Sequence, residues 1–336
     1  MKINKFKSMP YFIVVLFLFS ALQFTGCSLS SSDNTYQATQ KSTITVATSS
    51  VSKATSSTTK AASSTNDTVS QPSVEQTKPS EVQKSNVTGT LKVSYIDVGQ
   101  ADSILVQQGS SSMLIDAGNN SDSQTVKDYI ASQGVTKLDY VIGTHPHEDH
   151  IGGLDVAINS FQVGTVYMPK ITNTTKTFTD VVKAIKNKGL QAVSPKPGET
   201  FKLGEASCTV LAPNSSKYED LNNYSIVIKV TFGNNSFMFD GDAEDVSEKE
   251  MLSKGFDVKA DVLKVGHHGS SSSTTEGFLN AVNPKYAVIS VGKGNTYGHP
   301  HESTMNRLKA HNIAVYRTDE CGTIVAISDG NNITFN

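Results

Sequence analysis

The chain is short of several things, and each shortage narrows what it can do. Among 336 residues there are three cysteines, Cys27, Cys208 and Cys321, too few to build a disulfide scaffold. Lys and Arg number 29 against 31 Asp and Glu, a formal net charge of −2, so no basic field coats the molecule for broad nucleic-acid binding. One long apolar run exists, Tyr11 to Phe24, and it falls short of the ~20 residues a membrane-spanning helix needs. Large apolar residues almost vanish from Ser28 to about Thr88, where Ser and Thr dominate. Such a segment cannot bury enough surface to offset the entropy of ordering it. Histidine is unevenly spread: all eight lie at His145 to His150 or from His267 onward.

The first quarter therefore predicts no folded domain. Lys2, Lys5 and Lys7 precede the apolar run, as in a secretory signal. The run ends at Phe24-Thr25-Gly26-Cys27, which resembles a bacterial lipobox and implies cleavage before Cys27 and lipidation of its thiol. Phe24 stands where Leu is usual, so a plain signal peptide or an uncleaved anchor stays open. The reading divides the chain into a lipoprotein signal (1–26), a disordered tether (27–88) and a globular domain (89–336). It places that domain on the extracellular face of the membrane through a lipid anchor, or secreted if the lipobox is not used. No obligate protein partner is evident. Cys208 and Cys321 each fall in an apolar, strand-like run, which favours buried free thiols over a pair.

From Leu91 the pattern changes to short strands and turns. Leu91 to Asp97, Ser103 to Gln107 and Met113 to Asp116 run apolar or alternate, with Gly109-Ser110-Ser111 as a hairpin turn. Phe178, Val181, Val182 and Ile185 recur at helical spacing, closed by Gly189. Ile313 to Tyr316 and Thr323 to Ile327 read as the strands that finish a second sheet. Between such elements stands the densest chemistry in the chain, Thr144-His145-Pro146-His147-Glu148-Asp149-His150-Ile151-Gly152-Gly153, directly after the apolar run Leu138 to Gly143. Pro146 holds His145 out of the helical region, and in extended backbone residues i and i+2 point the same way. His145 and His147 can thus grip one ion together, leaving Asp149 and His150 for a second beside it. Imidazole and carboxylate donors without thiolates suit zinc, manganese or iron in an open catalytic site.

His-x-His-x-Asp-His-x-Gly after a strand resembles the signature of the metallo-β-lactamase superfamily. Longer stretches resemble one branch, the hydrolase-like domain of DNA-uptake competence channels of the ComEC type. They are Tyr95-Ile96-Asp97-Val98-Gly99-Gln100, Leu114-Ile115-Asp116-Ala117-Gly118, Phe239-Asp240-Gly241-Asp242-Ala243-Glu244, Leu263-Lys264-Val265-Gly266-His267-His268-Gly269-Ser270 and Tyr297-Gly298-His299-Pro300. The resemblance implies an α/β (α+β) fold, a four-layer αββα sandwich with metals at its edge. It implies two divalent ions, zinc or manganese, activating water. The first would be held by His145, His147 and Asp242. The second would take Asp149, His150, Asp242 and either His267 or His268, with His267 narrowly preferred. Adjacent histidines in extended backbone cannot both face one ion, so the other would contact substrate or move a proton.

Asp242 would bridge the ions, although capping the helix that opens at Ala243 is the alternative. Asp116 would support the metal-binding loop from behind, or simply end its strand in a turn. Asp102 matches a further acid of the family. Asp149, His268 and His299 would act in catalysis, and Asn223 or its neighbour Asn222, Ser270 and His299 would meet substrate. His301 and His311 read as helix-surface residues.

One departure matters. Many superfamily enzymes complete the first ion's histidine set with a residue between the second motif and the bridging acid, and this chain has none there. The first ion should be the weaker. β-Lactam hydrolysis is disfavoured for the same reason, and the channel's transport cannot be inherited without its membrane portion. The reading is an exported metal-dependent hydrolase, a phosphodiesterase or nuclease acting on DNA or another phosphoester. Two alternatives stand beside it. One is an envelope phosphoesterase of the teichoic-acid type; the other is a non-catalytic nucleic-acid-binding module linked to DNA uptake.

Overall fold

The computed structural model describes residues 87–336; the signal segment, Cys27 and nearly all of the tether lie outside the described residues. Period-2 alternation organises the chain from Leu91 onward. β1 (Leu91–Tyr95), β2 (Ser103–Gln108) and β3 (Ser111–Ala117) run antiparallel, and β4 (Lys137–Ile142), β5 (Gln162–Tyr167) and β6 (Ala192–Val193) then add in parallel. A second sheet is built from β7 (Thr200–Leu203), β8 (Ala206–Ala212), β9 (Val227–Phe232), β10 (Asn235–Phe239), β11 (Val262–Lys264), β12 (Tyr286–Ile289) and β13 (Ala314–Arg317). The chain ends in β14 (Ile324–Ser328) and β15 (Ile333–Phe335). The first sheet has the order β15-β14-β1-β2-β3-β4-β5-β6 and the second β13-β12-β11-β10-β9-β8-β7.

Alternate residues of each strand serve different cores. Ile104 and Val106 of β2, with Met113 and Ile115 of β3, meet Ile228, Val230, Phe237 and Phe239 of the second sheet in one buried cluster. Leu105 and Leu114, between them in sequence, face the other way into a cluster with Val126, Ile130, Leu154, Val181 and Ile185. Those residues belong to α1 (Ser123–Ser132), α3 (Leu154–Ser160) and α4 (Lys176–Asn187), with α2 (Glu148–Ile151) between. On the far side Val227, Met238, Leu263 and Ala287 pack against Met251, Phe278 and Leu308. These lie on α5 (Asp245–Ser253), α6 (Glu276–Val282) and α7 (Glu302–Ala310); α8 (Thr318–Cys321) is one short turn. The result is helices, sheet, sheet, helices, as expected. Phe237, fully buried between the sheets, illustrates the driving force: such a side chain contributes about 2 kcal/mol by leaving water.

Local signals agree with the helix limits. Thr175 accepts from Phe178 N at the start of α4, and Gly189 ends it with φ +71. One expectation fails. The segment Thr323 to Ile327 does not finish the second sheet beside Ile313 to Tyr316. Instead β14 pairs antiparallel with β1 of the first sheet, from Leu91↔Ser328 to Tyr95↔Ile324. That position covers an edge of β1 that would otherwise expose five unpaired residues. Cys208 is a free buried thiol, whereas Cys321 ends α8 half-buried rather than buried. Among the described residues no helix is long and apolar enough to cross a membrane.

Candidate metal centre

Parallel strands deliver their carboxyl ends to one edge of the sandwich. β3 and β4 are parallel in one sheet, and β10, β11 and β12 in the other. Asp116 sits near the end of β3, and the loops after these strands carry Thr144 to His150, Asp242, His267-His268 and Tyr297 to His301.

The loop after β4 is tightly specified. Asp116, at φ +57, accepts from Thr144 N through Oδ1 (2.8 Å) and from Thr144 Oγ1 through Oδ2 (2.7 Å). Its Oδ2 also lies 2.8 Å from His150 Nδ1. His147 is extended (φ −75, ψ 152) and starts α2, whose first turn carries Asp149 and His150. Gly152 is required for space rather than for φ, which is −56. A Cβ there would stand 2.2 Å from the backbone of Asn119 and Asn120, and one at Gly153 would stand 2.4 Å from Ala117 O.

Two groups of donors converge. His145 Nε2 and His147 Nδ1 lie 2.9 Å apart, and His145 Nε2 is 4.0 Å from Asp242 Oδ2. Asp149, His150, Asp242 and His268 form the second group, their donor atoms all within 4.8 Å of one another. His150 Nε2 is 3.2 Å from Asp242 Oδ2, His268 Nε2 is 3.7 Å from Asp242 Oδ1, and His268 Nε2 is 3.3 Å from Asp149 Oδ2. Asp242, 2% exposed, thus stands between the groups. His150 Nε2, His268 Nε2 and Asp242 Oδ1 are buried without a hydrogen-bond partner. Buried polar atoms are ordinarily paired, so three orphans aimed at one point fit a divalent ion held by nitrogen and oxygen.

Partners behind the donors fix their orientation. His268 Nδ1 lies 3.0 Å from Ser290 O and 3.4 Å from Asp102 Oδ1. Asp102 Oδ2 is 2.9 Å from Lys264 Nζ, and both side chains are buried. His145 Nδ1 is held by Thr144 Oγ1 (3.2 Å) and Ser225 Oγ (3.3 Å). Burial, then His150, holds the His145 imidazole well below its usual range, so it stays a neutral donor. Burial opposes the charge on Asp242, but His150 and His268 hold its carboxyl well below the carboxylate range.

The model of the metallo-β-lactamase superfamily matches residues 96–293. The chain belongs to that superfamily. ComE operon protein 3 of Bacillus subtilis is 33% identical over 253 residues, covering 69% of this chain and 32% of that protein. Competence protein ComA of Neisseria gonorrhoeae is 32% identical over 246 residues, covering 69% and 31%. The chain spans about a third of the length of these curated relatives. Among solved structures, Igni18, a metallo hydrolase of Ignicoccus hospitalis, superposes with a TM-score of 0.49 at 17% identity, over 70% of this chain and 98% of that one.

In this metallo-β-lactamase hydrolase domain the remaining sequence candidates separate. His267 and His268 are not extended: both occupy the left-handed region, φ 50, ψ 48 and φ 52, ψ 23. His268 joins Asp149, His150 and Asp242, while His267 lies at the wall of the cleft with Nδ1 3.4 Å from Glu244 Oε1. Asn223 faces away from the cleft. Its Oδ1 accepts from Glu244 N and Ser247 N, both at 3.2 Å, and so caps α5. The neighbouring Asn222 lines the cleft instead. Ser270 is buried, with Oγ 3.0 Å from Ser272 Oγ, outside the cleft lining.

His299 does line that cleft, of about 360 Å³, with Tyr297 stacked beside it at 5.7 Å. Burial, with His267 and His268 nearby, pushes the His299 imidazole down to about 4. Its tautomer follows from Gln100. Gly292 N donates to Gln100 Oε1 (3.1 Å), which turns the Gln100 amide nitrogen toward His299 Nδ1 (3.4 Å). His299 Nδ1 therefore accepts, and Nε2 carries the proton. Sequence reasoning gave no role to Lys264, Glu244 or Gln100. Lys264 did have a signal, a lone cation in the apolar run Asp261 to Val265, because a buried charge has to be paired.

Proposed function

We propose that this hydrolase cleaves phosphodiesters, with DNA as the first natural substrate, at a centre of two divalent ions, zinc or manganese. We place it outside the cell, held to the membrane by a lipid on Cys27. The observation that carries the reading is Asp242, one buried carboxylate with Oδ2 toward His145 and His150 and Oδ1 toward His268. When bound, a pair of ions there would supply a nucleophile at neutral pH and positive charge for an in-line displacement at phosphorus.

The chain's own residues set the rest. Among the described residues no Lys or Arg lines the cleft, so it suits a diester with a single charge better than a polyanionic monoester. His299, neutral and carrying its proton on Nε2, can donate to a substrate oxygen or to the departing one. Asp149, half-buried beside His268, stays ionised: burial opposes this, but His150 and His268 hold it down to about 2. Tyr297 stands 69% exposed at the rim, an aromatic face beside the reacting centre. The competence proteins among the relatives support a nucleic-acid substrate.

The test is turnover of bis-p-nitrophenyl phosphate and of labelled DNA, each with and without a chelator. Chelator-sensitive cleavage of both is expected, and His299→Ala should lower kcat about 10²-fold or more with metal content unchanged. Absence of any diester cleavage by metal-loaded protein would contradict the reading. Cleavage confined to small envelope phosphoesters would replace DNA as the substrate.

A further inference from the structure

The first ion has two imidazoles and a shared carboxylate, and the histidine usual in the superfamily is absent. We propose that His267, from the loop after β11, is the third nitrogen of that ion, so that adjacent histidines serve different ions. The inference rests on the same two-ion centre as the proposed function, but not on its substrate.

Four observations carry it. His268 is already committed to the second group, with Nε2 3.3 Å from Asp149 Oδ2 and Nδ1 on Ser290 O. That leaves His267, whose left-handed backbone turns it to the same cleft rather than to the opposite face of a strand. Its Nε2 lies 3.6 Å from Asp242 Oδ2, the shared oxygen that stands 4.0 Å from His145 Nε2 and 3.2 Å from His150 Nε2. Two donors at ~2.1 Å from one ion stand about 3 to 4 Å apart, whereas a direct hydrogen bond would be shorter than 3.6 Å.

The third observation is the hold on the other ring nitrogen. His267 Nδ1 is met by Glu244 Oε1 at 3.4 Å, Ser272 Oγ at 3.3 Å and Asn222 Nδ2 at 3.5 Å. With the carboxylate taking the Nδ1 proton, and Asn222 Nδ2 turned to the same Oε1 (3.4 Å), Nε2 is left as the donor. A carboxylate behind an imidazole is how metal-ligating histidines are oriented. The fourth is elimination. His299 Nδ1 is engaged by Gln100, His301 Nδ1 accepts from Ser271 N at 2.9 Å, and His311 lies on Glu276. His267 is the one remaining imidazole among the described residues.

The experiment is titration of metal-depleted protein with Zn²⁺, followed by calorimetry and elemental analysis. Wild type is expected to take two equivalents. His147→Ala should lose one of them and His150→Ala the other, which labels the two ions. His267→Ala should reproduce the His147→Ala isotherm. Binding of that ion should be at least about tenfold weaker, since loss of an orienting partner alone costs that much, and the other ion should be unchanged. The double variant His147→Ala/His267→Ala should keep the ion that each single variant keeps.

Wild-type binding of both ions by His267→Ala would overturn the proposal, and so would loss of the ion that His150→Ala loses. Glu244→Gln keeps the imidazole and guards against misfolding of the alanine variant. It should weaken the same ion ~10- to 100-fold, and an unchanged affinity would count against the proposal. A protein that binds both ions this way but cleaves no diester would sink the substrate reading alone.

Discussion

Asp240 and Asp242 lie two residues apart on one loop and are driven in opposite directions. Burial, then Glu248, pushes the Asp240 carboxyl well above its usual range, while His150 and His268 overcome burial to keep Asp242 ionised. The same contacts act on the imidazoles. His150 is raised well above its usual range, and His268 up to about 10, because Asp242 and its carboxylate neighbours outweigh burial. A raised imidazole holds its proton at pH 7, and a metal ligand must give that proton up. Zinc uptake near pH 7 is therefore expected to release protons and to tighten as pH rises. Calorimetry in two buffers of different ionisation enthalpy checks this; a buffer-independent heat would contradict it. The His-x-His-x-Asp-His cluster was legible in the sequence because its spacing is local. The place of His268 was not, because it depends on a left-handed dipeptide and on Asp102, distant in sequence, just before β2.

At the scale of elements, two features hold the loops in place. The turn from α2 to α3 passes so close to Asn119 and Asn120 that a Cβ on Gly152 meets backbone at 2.2 Å. Gly152→Ala is expected to cost about 1 to 3 kcal/mol and to loosen the second ion, read by thermal unfolding and metal content. A variant with wild-type stability and metal content would show that the two segments can separate without cost. The second feature is the buried pair Asp102–Lys264, at 2.9 Å, which joins the start of β2 to β11 behind His268. Lys264→Met strands a buried carboxylate and should cost about 3 to 5 kcal/mol, whereas Asp102→Leu/Lys264→Met should cost less. Denaturant unfolding in chelator separates them, and equal losses would argue against pairing. The strands and helices with strong periodicity, β4 and α4 among them, were readable in advance. The sheet that β14 joins was not, since its residues fit either edge and only the open side of β1 decides.

At the scale of the molecule, two sheets bring loops from separate halves of the chain to one edge, so neither half holds the centre alone. The proposed anchor would then decide where that edge works. Cys27→Ser should release the protein into the medium with the hydrolase domain folded, and unchanged membrane retention would favour an uncleaved N-terminal anchor. The central claim is that Asp242 joins two ions into one reacting centre. It is tested most directly by measuring zinc content and the bis-p-nitrophenyl phosphate rate of Asp242→Ala beside wild type. The account predicts a fall from two equivalents to below one, with the rate reduced at least about 100-fold, because one change removes a donor from both ions. Two retained equivalents and a wild-type rate would contradict it.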